Sequence, residues 1–552
     1  MRRISLLACL SLAGMLVSAC PAEVAAQSAA SLTGQVSSTE EGAMEGVLVS
    51  ARKDGATITT TAVTDNQGRY SFPADRLMPG RYTISIRAIG YKLDGPKNVE
   101  VQAGATADLK LSKTKNLSAQ LSNGEWLMSL PGADNQKAFL TQCVGCHTLQ
   151  RVVGSTHGAE AFEEIFLRMA RYSPGSSPQH PQPLLPGPRG ERPAVTGAAA
   201  KAAAQYLAGI NMSNAETWEF PLKTLPRPKG RSTKVLITEY DLPRKEAMPH
   251  DVVVDRDGAV WYSDFGHQFV GELDPKTGKV VDYAIPVLKP EQPKGGLDLE
   301  LDPDGNLWLS LMYQAGIAKI DRKSKAVQTF PFPKDWQSPS TQASMVSPSH
   351  MNVDGKVWTN NQEDHFSYRL DVASGRWENV GQAKDPRGKQ IRAYGMPTDQ
   401  ANNLYLLEFG GTSIGRRDAK TGVVTIWPTP TAGSRPRRGR IDSENRLWFA
   451  QYGANGIGLF DPESATIKEW RLPTPWSAPY DVIPTRKGEV WTGSMLNDQV
   501  ARLDPKTGNV VEYLLPRTTN VRRVFVDDTG DRPVLWVGSN LGASIIKVEP
   551  LD

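Results

Sequence analysis

Two cysteines and a histidine stand close together in the pentapeptide Cys143-Val144-Gly145-Cys146-His147. Two thiols three positions apart can each add to a vinyl group of one haem, and the adjacent histidine is then placed to ligate the iron. This spacing is the attachment signature of a c-type haem. The sequence therefore predicts one covalent haem c, held by Cys143 and Cys146, with His147 as a ligand of the haem iron.

Two other chemistries use cysteines at this spacing. A structural zinc site needs two further ligands, and no other cysteine lies near, so His157 would have to recruit a distant partner. A thioredoxin-like dithiol would lie in a βαβ context, and the surrounding sequence lacks that pattern. Haem attachment is the interpretation that best fits the motif.

The iron needs a second axial ligand, and Met169 is the predicted one. It ends an apolar stripe whose spacing of i, i+3, i+4 and i+7 predicts an amphipathic helix, made of Phe162, Ile165, Phe166 and Met169. A methionine ligand would raise the reduction potential, although a methionine on such a stripe also serves as core packing. The alternative ligands are His157, His180 and Met212.

The segment around the pentapeptide, residues 116–214, resembles small c-type cytochromes in the order of its helices. Asp134 can cap a helix through residues 138–140 that delivers the first thiol. Thr196 opens an alanine-rich helix that ends near Leu207. The resemblance implies an α-helical cytochrome c domain that carries electrons, but such cytochromes usually place the methionine ligand nearer the last helix.

A repeat of roughly 43 to 50 residues fills the chain beyond residue 233. Each unit places a turn before a strand with one aromatic residue, and these aromatic residues are Trp261, Trp308, Trp358, Tyr405, Trp448, Trp491 and Trp536. This period is that of a β-propeller blade. The last unit lacks an outer strand, whereas residues 238–243 supply one before the first unit. The sequence therefore predicts a seven-bladed propeller, residues 233–552, closed by its N-terminal strand.

The propeller repeat resembles the streptogramin (virginiamycin B) lyase family over residues 233–552. Two motifs that carry the resemblance are Met248-Pro249-His250-Asp251-Val252 and Ala478-Pro479-Tyr480-Asp481-Val482. Those lyases open an ester-linked macrocycle by elimination, using a magnesium ion, histidines on successive blades and nearby glutamates. The resemblance implies His250, His350 and Glu408 as candidate catalytic residues and Mg²⁺ as a candidate cofactor. Met248 departs from the family pattern, because a glutamate is expected at that position.

Propellers bind ligands at the mouth of the central channel, where the innermost strands begin. Alignment on the repeated aromatic residue places seven residues there: His250, Leu297, His350, Tyr394, Arg437, Tyr480 and Arg522. The ring is polar and partly cationic, which predicts a funnel for an anionic or hydrogen-bonding ligand. The alternative interpretation is that these are solvated loop residues.

Residues 30–113 contain short stretches of alternating apolar and polar residues separated by turns, the pattern of half-buried strands. The order of these stretches resembles the carboxypeptidase regulatory-like domains, which are small β-sandwiches related to transthyretin. The resemblance implies a spacer or adhesive module without chemistry of its own. Such sandwiches share a carbohydrate-binding-like fold, but no aromatic platform for a sugar is evident.

The first 26 residues have the charged start, apolar run and small residues of a signal peptide. The sequence Val17-Ser18-Ala19-Cys20 also matches a bacterial lipobox, in which Cys20 would be lipidated and would tether the chain to a membrane. Both interpretations predict an exported, periplasmic protein whose membrane contact, if any, is the anchor at Cys20. A net charge of +4 without a long basic run argues against nucleic-acid binding.

Together these patterns predict a multidomain, mainly β protein. It consists of a small β-sandwich, an α-helical cytochrome c domain, a linker at residues 215–232 and a seven-bladed β-propeller. The predicted function is electron transfer by an exported cytochrome whose propeller is a platform for a ligand or a redox partner, such as a periplasmic dehydrogenase. The alternative is a lyase that acts on a cyclic ester in the propeller. Because an elimination needs no electrons, the lyase alternative leaves the haem motif unexplained.

Overall fold

The computed structural model describes residues 30–187, 195–212 and 220–552. The predicted signal peptide and the lipobox cysteine lie outside the described residues, as does part of the predicted linker. In the described ranges, no helix is long and apolar enough to cross a membrane. The structure is mainly β, with strands on both sides of one helical segment.

Ten strands form the N-terminal β-sandwich. They are β1 (Ala30–Ser38), β2 (Gly42–Ala43), β3 (Leu48–Lys53), β4 (Ile58–Val63), β5 (Arg69–Pro73), β6 (Gly80–Arg87), β7 (Tyr91–Gly95), β8 (Asn98–Val101), β9 (Ala105–Thr106) and β10 (Leu109–Lys113). One sheet is built around β1, which pairs with β2, β5, β9 and β10, and the other has the order β4-β3-β6-β8. Their facing side chains, among them Phe72 and Tyr82, form one apolar core. The predicted sandwich is confirmed.

Within the described residues, five α-helices follow the sandwich: α1 (Asn123–Ser129), α2 (Asp134–Lys137), α3 (Leu149–Val153), α4 (Ala159–Met169) and α5 (Gly197–Ile210). The predicted amphipathic and alanine-rich helices correspond to α4 and α5. The α-helix expected through residues 138–140 is a 3₁₀ helix instead, which spans Ala138–Gly145. The hydroxyl of Thr141 donates to the carbonyl of Ala138 at 2.7 Å, a local bond that competes with the α-helical pattern.

The rest of the chain begins with β11 (Val235–Asp241) and then forms seven antiparallel sheets. The first four sheets contain β12 (Pro249–Val254), β13 (Val260–Asp264), β14 (Phe269–Leu273) and β15 (Val280–Ala284); β16 (Leu299–Leu301), β17 (Leu307–Ser310), β18 (Gly316–Ile320) and β19 (Val327–Pro331); β20 (Val346–Ser347), β21 (Lys356–Asn361), β22 (Phe366–Asp371) and β23 (Arg376–Gln382); and β24 (Leu404–Leu407), β25 (Ser413–Arg417) and β26 (Val424–Pro428). The last three contain β27 (Pro436–Ile441), β28 (Leu447–Gln451), β29 (Gly456–Asp461) and β30 (Thr466–Arg471); β31 (Pro479–Pro484), β32 (Val490–Ser494), β33 (Gln499–Leu503) and β34 (Val510–Leu514); and β35 (Val524–Asp527), β36 (Val534–Ser539) and β37 (Ser544–Pro550).

In three of the sheets the repeated tryptophan is fixed by a local hydrogen bond. In the first sheet the indole of Trp261 donates to the carboxylate of Asp255 at 2.9 Å. The same carboxylate accepts the backbone N–H of Asp257 and Ala259, so it shapes the turn before the strand as well. Equivalent indole bonds join Trp308 to Asp302 and Trp448 to Asp442. In these three sheets the repeat seen in the sequence is a turn followed by a tryptophan that the turn aspartate anchors.

The strand that precedes the first sheet completes the seventh. β11 pairs antiparallel with β37, from Val235 opposite Pro550 to Asp241 opposite Ser544. The ring closure predicted from the sequence is confirmed, and the region is a β-propeller. Closure of this kind removes the exposed edge that β37 would otherwise present.

The sandwich continues the seventh propeller sheet. β4 pairs antiparallel with the outer side of β11, from Ala62 opposite Leu236 to Ile58 opposite Tyr240. The result is one eight-stranded sheet that crosses from the propeller into the sandwich. Arg87 adds a buried ion pair across this contact, with its guanidinium 2.7 Å from Asp498. The sandwich is thus built into the propeller edge by backbone pairing and by a buried charge pair.

The Arg87–Asp498 pair gives a test of this junction. Arg87→Met leaves the fully buried carboxylate of Asp498 without its cation. The free energy of unfolding should therefore fall by about 3 to 5 kcal/mol. The control is Arg69→Met in the same sandwich, because Arg69 pairs with Asp65 on the exposed surface and its loss should cost about 0 to 1 kcal/mol. Urea unfolding of the full chain measures the stability loss in both variants. Equal urea midpoints for the two variants would contradict a stabilising role of the Arg87–Asp498 pair at the junction.

Candidate functional site

One cavity of about 470 Å³ contains the predicted haem residues. Cys143, Cys146, His147 and Met169 all line it. Its volume lies within the range of about 300 to 1,000 Å³ that is usual for cofactor and ligand pockets. The structure therefore brings together two thiols, an imidazole and a thioether, although Cys143 and Met169 are 26 residues apart in the sequence.

The imidazole of His147 is oriented for metal binding. Its Nδ1 atom lies 3.2 Å from the backbone oxygen of Thr148. Because a carbonyl can only accept, Nδ1 carries the proton and Nε2 keeps its lone pair. Burial lowers the pKa of His147, which favours the neutral form that binds iron. Hydrogen bonds of this kind orient metal-binding histidines in general.

The remaining wall of the cavity is apolar with a charged margin. Phe139 and Phe166 meet edge to face with their ring centroids 6.5 Å apart. Arg151 and Arg168 also line the cavity and are exposed, so their guanidinium groups would suit the carboxylates of a haem. The described residues thus fit a covalently bound haem.

The alternative axial ligands are distributed around this cavity. His157 lines it together with Met169. Met212 borders a second cavity of about 600 Å³ and donates its backbone N–H to Val153 at 2.7 Å. His180 stacks on His267 of the propeller with ring centroids 4.1 Å apart. Met169 stays the predicted ligand, and His157 is the alternative that shares its cavity.

Val144 and Gly145 lie between the two cysteines, at the end of the 3₁₀ helix, and form the predicted haem-attachment loop. This loop lies against the mouth of the propeller. Arg522 donates to the backbone oxygen of Gly145 at 2.7 Å, and Asn520 donates to the backbone oxygen of Val144 at 3.2 Å. Sequence reasoning placed Arg522 at the mouth but missed both contacts. No local signal could reveal them, because they join residues more than 370 positions apart.

The loop that follows α4 extends the same contact. Gln182 is buried and its amide donates to the backbone oxygens of Gly266 and Lys294, at 2.5 and 3.0 Å. Gly175 approaches the propeller backbone so closely that a Cβ atom there would lie 2.0 Å from the oxygen of Phe265. Only glycine fits at that position. The helical segment therefore covers the propeller mouth along several independent contacts.

The ring at the mouth is consequently buried, not an open funnel. The exposed fractions are 0% for His250, 1% for Leu297, 4% for Tyr394, 6% for Arg437, 0% for Tyr480 and 3% for Arg522. The hydroxyl groups of Tyr394 and Tyr480 are hydrogen-bonded, and the guanidinium of Arg437 lies 4.1 Å from the ring centroid of Tyr480. The cationic residues that the sequence assigned to a ligand funnel pack instead on aromatic rings.

His250 is engaged on both ring nitrogens. Nδ1 lies 2.5 Å from the carboxylate of Asp251, and Nε2 lies 3.2 Å from the hydroxyl of Tyr480. Burial lowers the pKa of His250 to about 3, so the ring is neutral and accepts from Tyr480. Burial alone would raise the pKa of Asp251, but Arg438 holds it well below the usual range. Arg438 also pairs with Asp298, so the channel centre is a closed network of ion pairs.

His350 does not belong to the ring, and its placement there was wrong. Leu299 and Val346 occupy equivalent positions in their sheets, because the backbone N–H of each donates to an aspartate of the preceding sheet. Leu299 donates to Asp251 at 3.0 Å, and Val346 donates to Asp298 at 2.9 Å. Ser344, two residues before Val346, therefore takes the ring position. His350 lies in the longer turn between β20 and β21 and contacts Thr398 at 3.0 Å. Because this turn is longer than those of the other sheets, counting back from the repeated aromatic residue reaches His350 and not the true ring position.

The three candidate catalytic residues of the lyase interpretation have separate partners. His250 contacts Asp251, His350 contacts Thr398, and buried Glu408 accepts from Ser413 at 2.5 Å. Throughout the described ranges, no three histidine, cysteine, aspartate or glutamate side chains cluster as metal ligands. The three candidates therefore have no partner in common among the described residues, and the Mg²⁺ that the resemblance implied stays a prediction.

Several solved structures are similar to this chain. The selenomethionine-substituted virginiamycin B lyase from Staphylococcus aureus is 19% identical, with a TM-score of 0.49, and the match covers 57% of this chain and 99% of that one. A streptogramin B lyase is 20% identical, with a TM-score of 0.49 and coverages of 58% and 99%. YCF48 bound to a D1 peptide is 10% identical, with a TM-score of 0.43 and coverages of 56% and 94%.

Two family models match separate parts of the sequence. The carboxypeptidase regulatory-like domain matches residues 31–112, and the virginiamycin B lyase family matches residues 289–550. Neither range includes the haem pentapeptide or His250. None of the curated proteins compared matches the chain. The chain therefore contains a carboxypeptidase regulatory-like domain and a virginiamycin B lyase-like domain.

Proposed function

We propose that this chain is an exported c-type cytochrome that transfers electrons. The observation that carries the proposal is the single cavity lined by Cys143, Cys146, His147 and Met169. A haem bound there would supply a one-electron couple of its iron. Sequence supports export, through the predicted signal peptide at residues 1–26.

Each of the chain's own residues has a defined task in this proposal. The two cysteines hold the cofactor covalently, so it cannot dissociate. His147 presents Nε2 because its Nδ1–H donates to the carbonyl of Thr148. Phe139 and Phe166 exclude water from one side of the cavity. An apolar setting of this kind is one of the factors that set the reduction potential of a haem.

The propeller serves in this proposal as the rigid platform of the haem segment. Its channel mouth is occupied by that segment, so an external partner would approach the haem from the open side of the cavity, where Arg151 and Arg168 lie. The partner we propose is an exported redox protein, such as a periplasmic dehydrogenase. No nucleic acid is involved, and any membrane contact is made through Cys20.

Covalent haem attachment can be tested directly. The exported full chain should retain a haem-stained band after denaturing electrophoresis, because thioether bonds survive denaturation. Cys143→Ser/Cys146→Ser should lose the band, since both attachment points are removed. The matched control is His157→Ala, which changes a residue of the same cavity and leaves both thiols in place. A stain that persists in the double variant would reject the assignment.

The distal ligand is tested by comparing two methionines. Met169→Ala should abolish the sulfur-to-iron band of the oxidised protein and lower the reduction potential by more than about 59 mV, a tenfold change in a one-electron equilibrium. Met212→Ala is the control, because Met212 is buried outside the haem cavity. Retention of the band in Met169→Ala would show that Met169 is only packing. A low-spin spectrum lost in His157→Ala would name His157 instead.

A second candidate is a lyase that acts on a cyclic ester, favoured by the family match over residues 289–550. Against it, His250 is fully buried under the helical segment and the candidate residues do not converge on a metal. Incubation of the purified chain with a streptogramin tests it. We expect no ring opening, with or without added magnesium. Ring opening that His250→Ala abolishes would promote the lyase.

A further inference from the structure

Two side chains of the propeller donate hydrogen bonds to the haem-attachment loop between the two cysteines. The backbone oxygen of Val144 accepts from the amide of Asn520 at 3.2 Å, and the backbone oxygen of Gly145 accepts from the guanidinium of Arg522 at 2.7 Å. Both loop residues are buried. A buried carbonyl left without a donor costs about 1 to 3 kcal/mol, so these two bonds fix where the loop can lie.

The two donors are held in place by the propeller itself. Asn520 donates also to the backbone oxygen of Met495 at 3.0 Å, and its own side-chain oxygen accepts from Nε of Arg522 at 2.9 Å. The guanidinium of Arg522 lies 4.8 Å from the ring centroid of Phe265, and the side chain is 3% exposed. The cation is therefore oriented by fixed groups before any cofactor is attached.

We propose that Arg522 is a positioning residue by which the propeller orients the haem-attachment loop and raises the reduction potential of the haem. The inference rests on the proposed function as a c-type cytochrome. Oxidised haem iron carries one more positive charge than reduced iron, and guanidinium stays charged at all physiological pH values. A fixed cation next to the loop between the two thioether positions therefore disfavours the oxidised form.

Coulomb's law gives the scale of such an effect. At an effective dielectric constant of about 20, two unit charges roughly 10 Å apart change an equilibrium by about tenfold. A tenfold change corresponds to about 59 mV for one electron. This effect is independent of the axial ligand, so it adds to whatever potential His147 and its distal partner establish.

The test compares three arginine variants of the full, haem-loaded chain. Arg522→Gln should lower the midpoint potential by about 59 mV, a tenfold shift, while the amount of haem per chain stays at the wild-type level. Arg522→Lys keeps the charge and should recover part of the loss. The matched control is Arg417→Gln, because Arg417 is equally buried and donates to the backbone oxygens of Val380 and Gly381, within the propeller. It should leave the potential unchanged.

Two results would overturn the inference. One is an unchanged potential in haem-loaded Arg522→Gln, and the other is an equal fall in Arg417→Gln, which would show a general effect of lost buried arginines. If Arg522→Gln does not fold, Asn520→Leu carries the test, because it removes the donor to Val144 and the acceptor of Arg522 at nearly constant size without adding a charge, and it should lower the potential. An unchanged potential there overturns the inference. Failure of the proposed function is recognised separately, by absence of haem from the wild-type chain.

Discussion

The hydrogen bonds from Asn520 and Arg522 to the carbonyls of Val144 and Gly145 are the constraint on which the rest of the site depends. They place the haem-attachment loop on the propeller, and the chain that follows the loop then covers the channel mouth. This interface between the loop and the propeller therefore has two effects. It fixes the orientation of the haem residues, and it withdraws His250 from solvent. A propeller whose mouth is filled by its own chain is better suited to hold a cofactor domain than to admit a substrate.

The sandwich is attached to the propeller by different interactions, which also fix its position. Backbone pairing of β4 with β11 extends one sheet through both units, and the buried Arg87–Asp498 pair fixes their orientation. Edge strands are common sites of aggregation, so the sandwich also protects the outer edge of the seventh sheet. Both the sandwich and the helical segment thus use the propeller as their support.

The features that could be predicted from the sequence are those that depend on the spacing of residues close together in the chain. The Cys143–His147 pentapeptide, the repeated aromatic residue of the sheets and the closing strand are all short patterns, and the structure has each of them. The interface was not predictable, because Gln182 and Gly175 meet the propeller through contacts that no spacing encodes. His350 was misplaced for a related reason: turn lengths vary between repeats, so alignment on one aromatic residue fails wherever a turn is longer. The 3₁₀ helix before Cys146 contains a bond from the Thr141 hydroxyl to the carbonyl of Ala138, a local contact that hydrophobic periodicity does not reveal.

The central claim is that one haem lies in the cavity between Cys143, Cys146 and His147, on the mouth of the propeller. Anomalous diffraction at the iron absorption edge, from crystals of the exported chain, measures this most directly. The account predicts a single strong iron peak per chain, within bonding distance of Nε2 of His147 and on the side of the cavity that Met169 lines. Crystals that contain no iron, or an iron peak in the propeller channel and none beside His147, would contradict it.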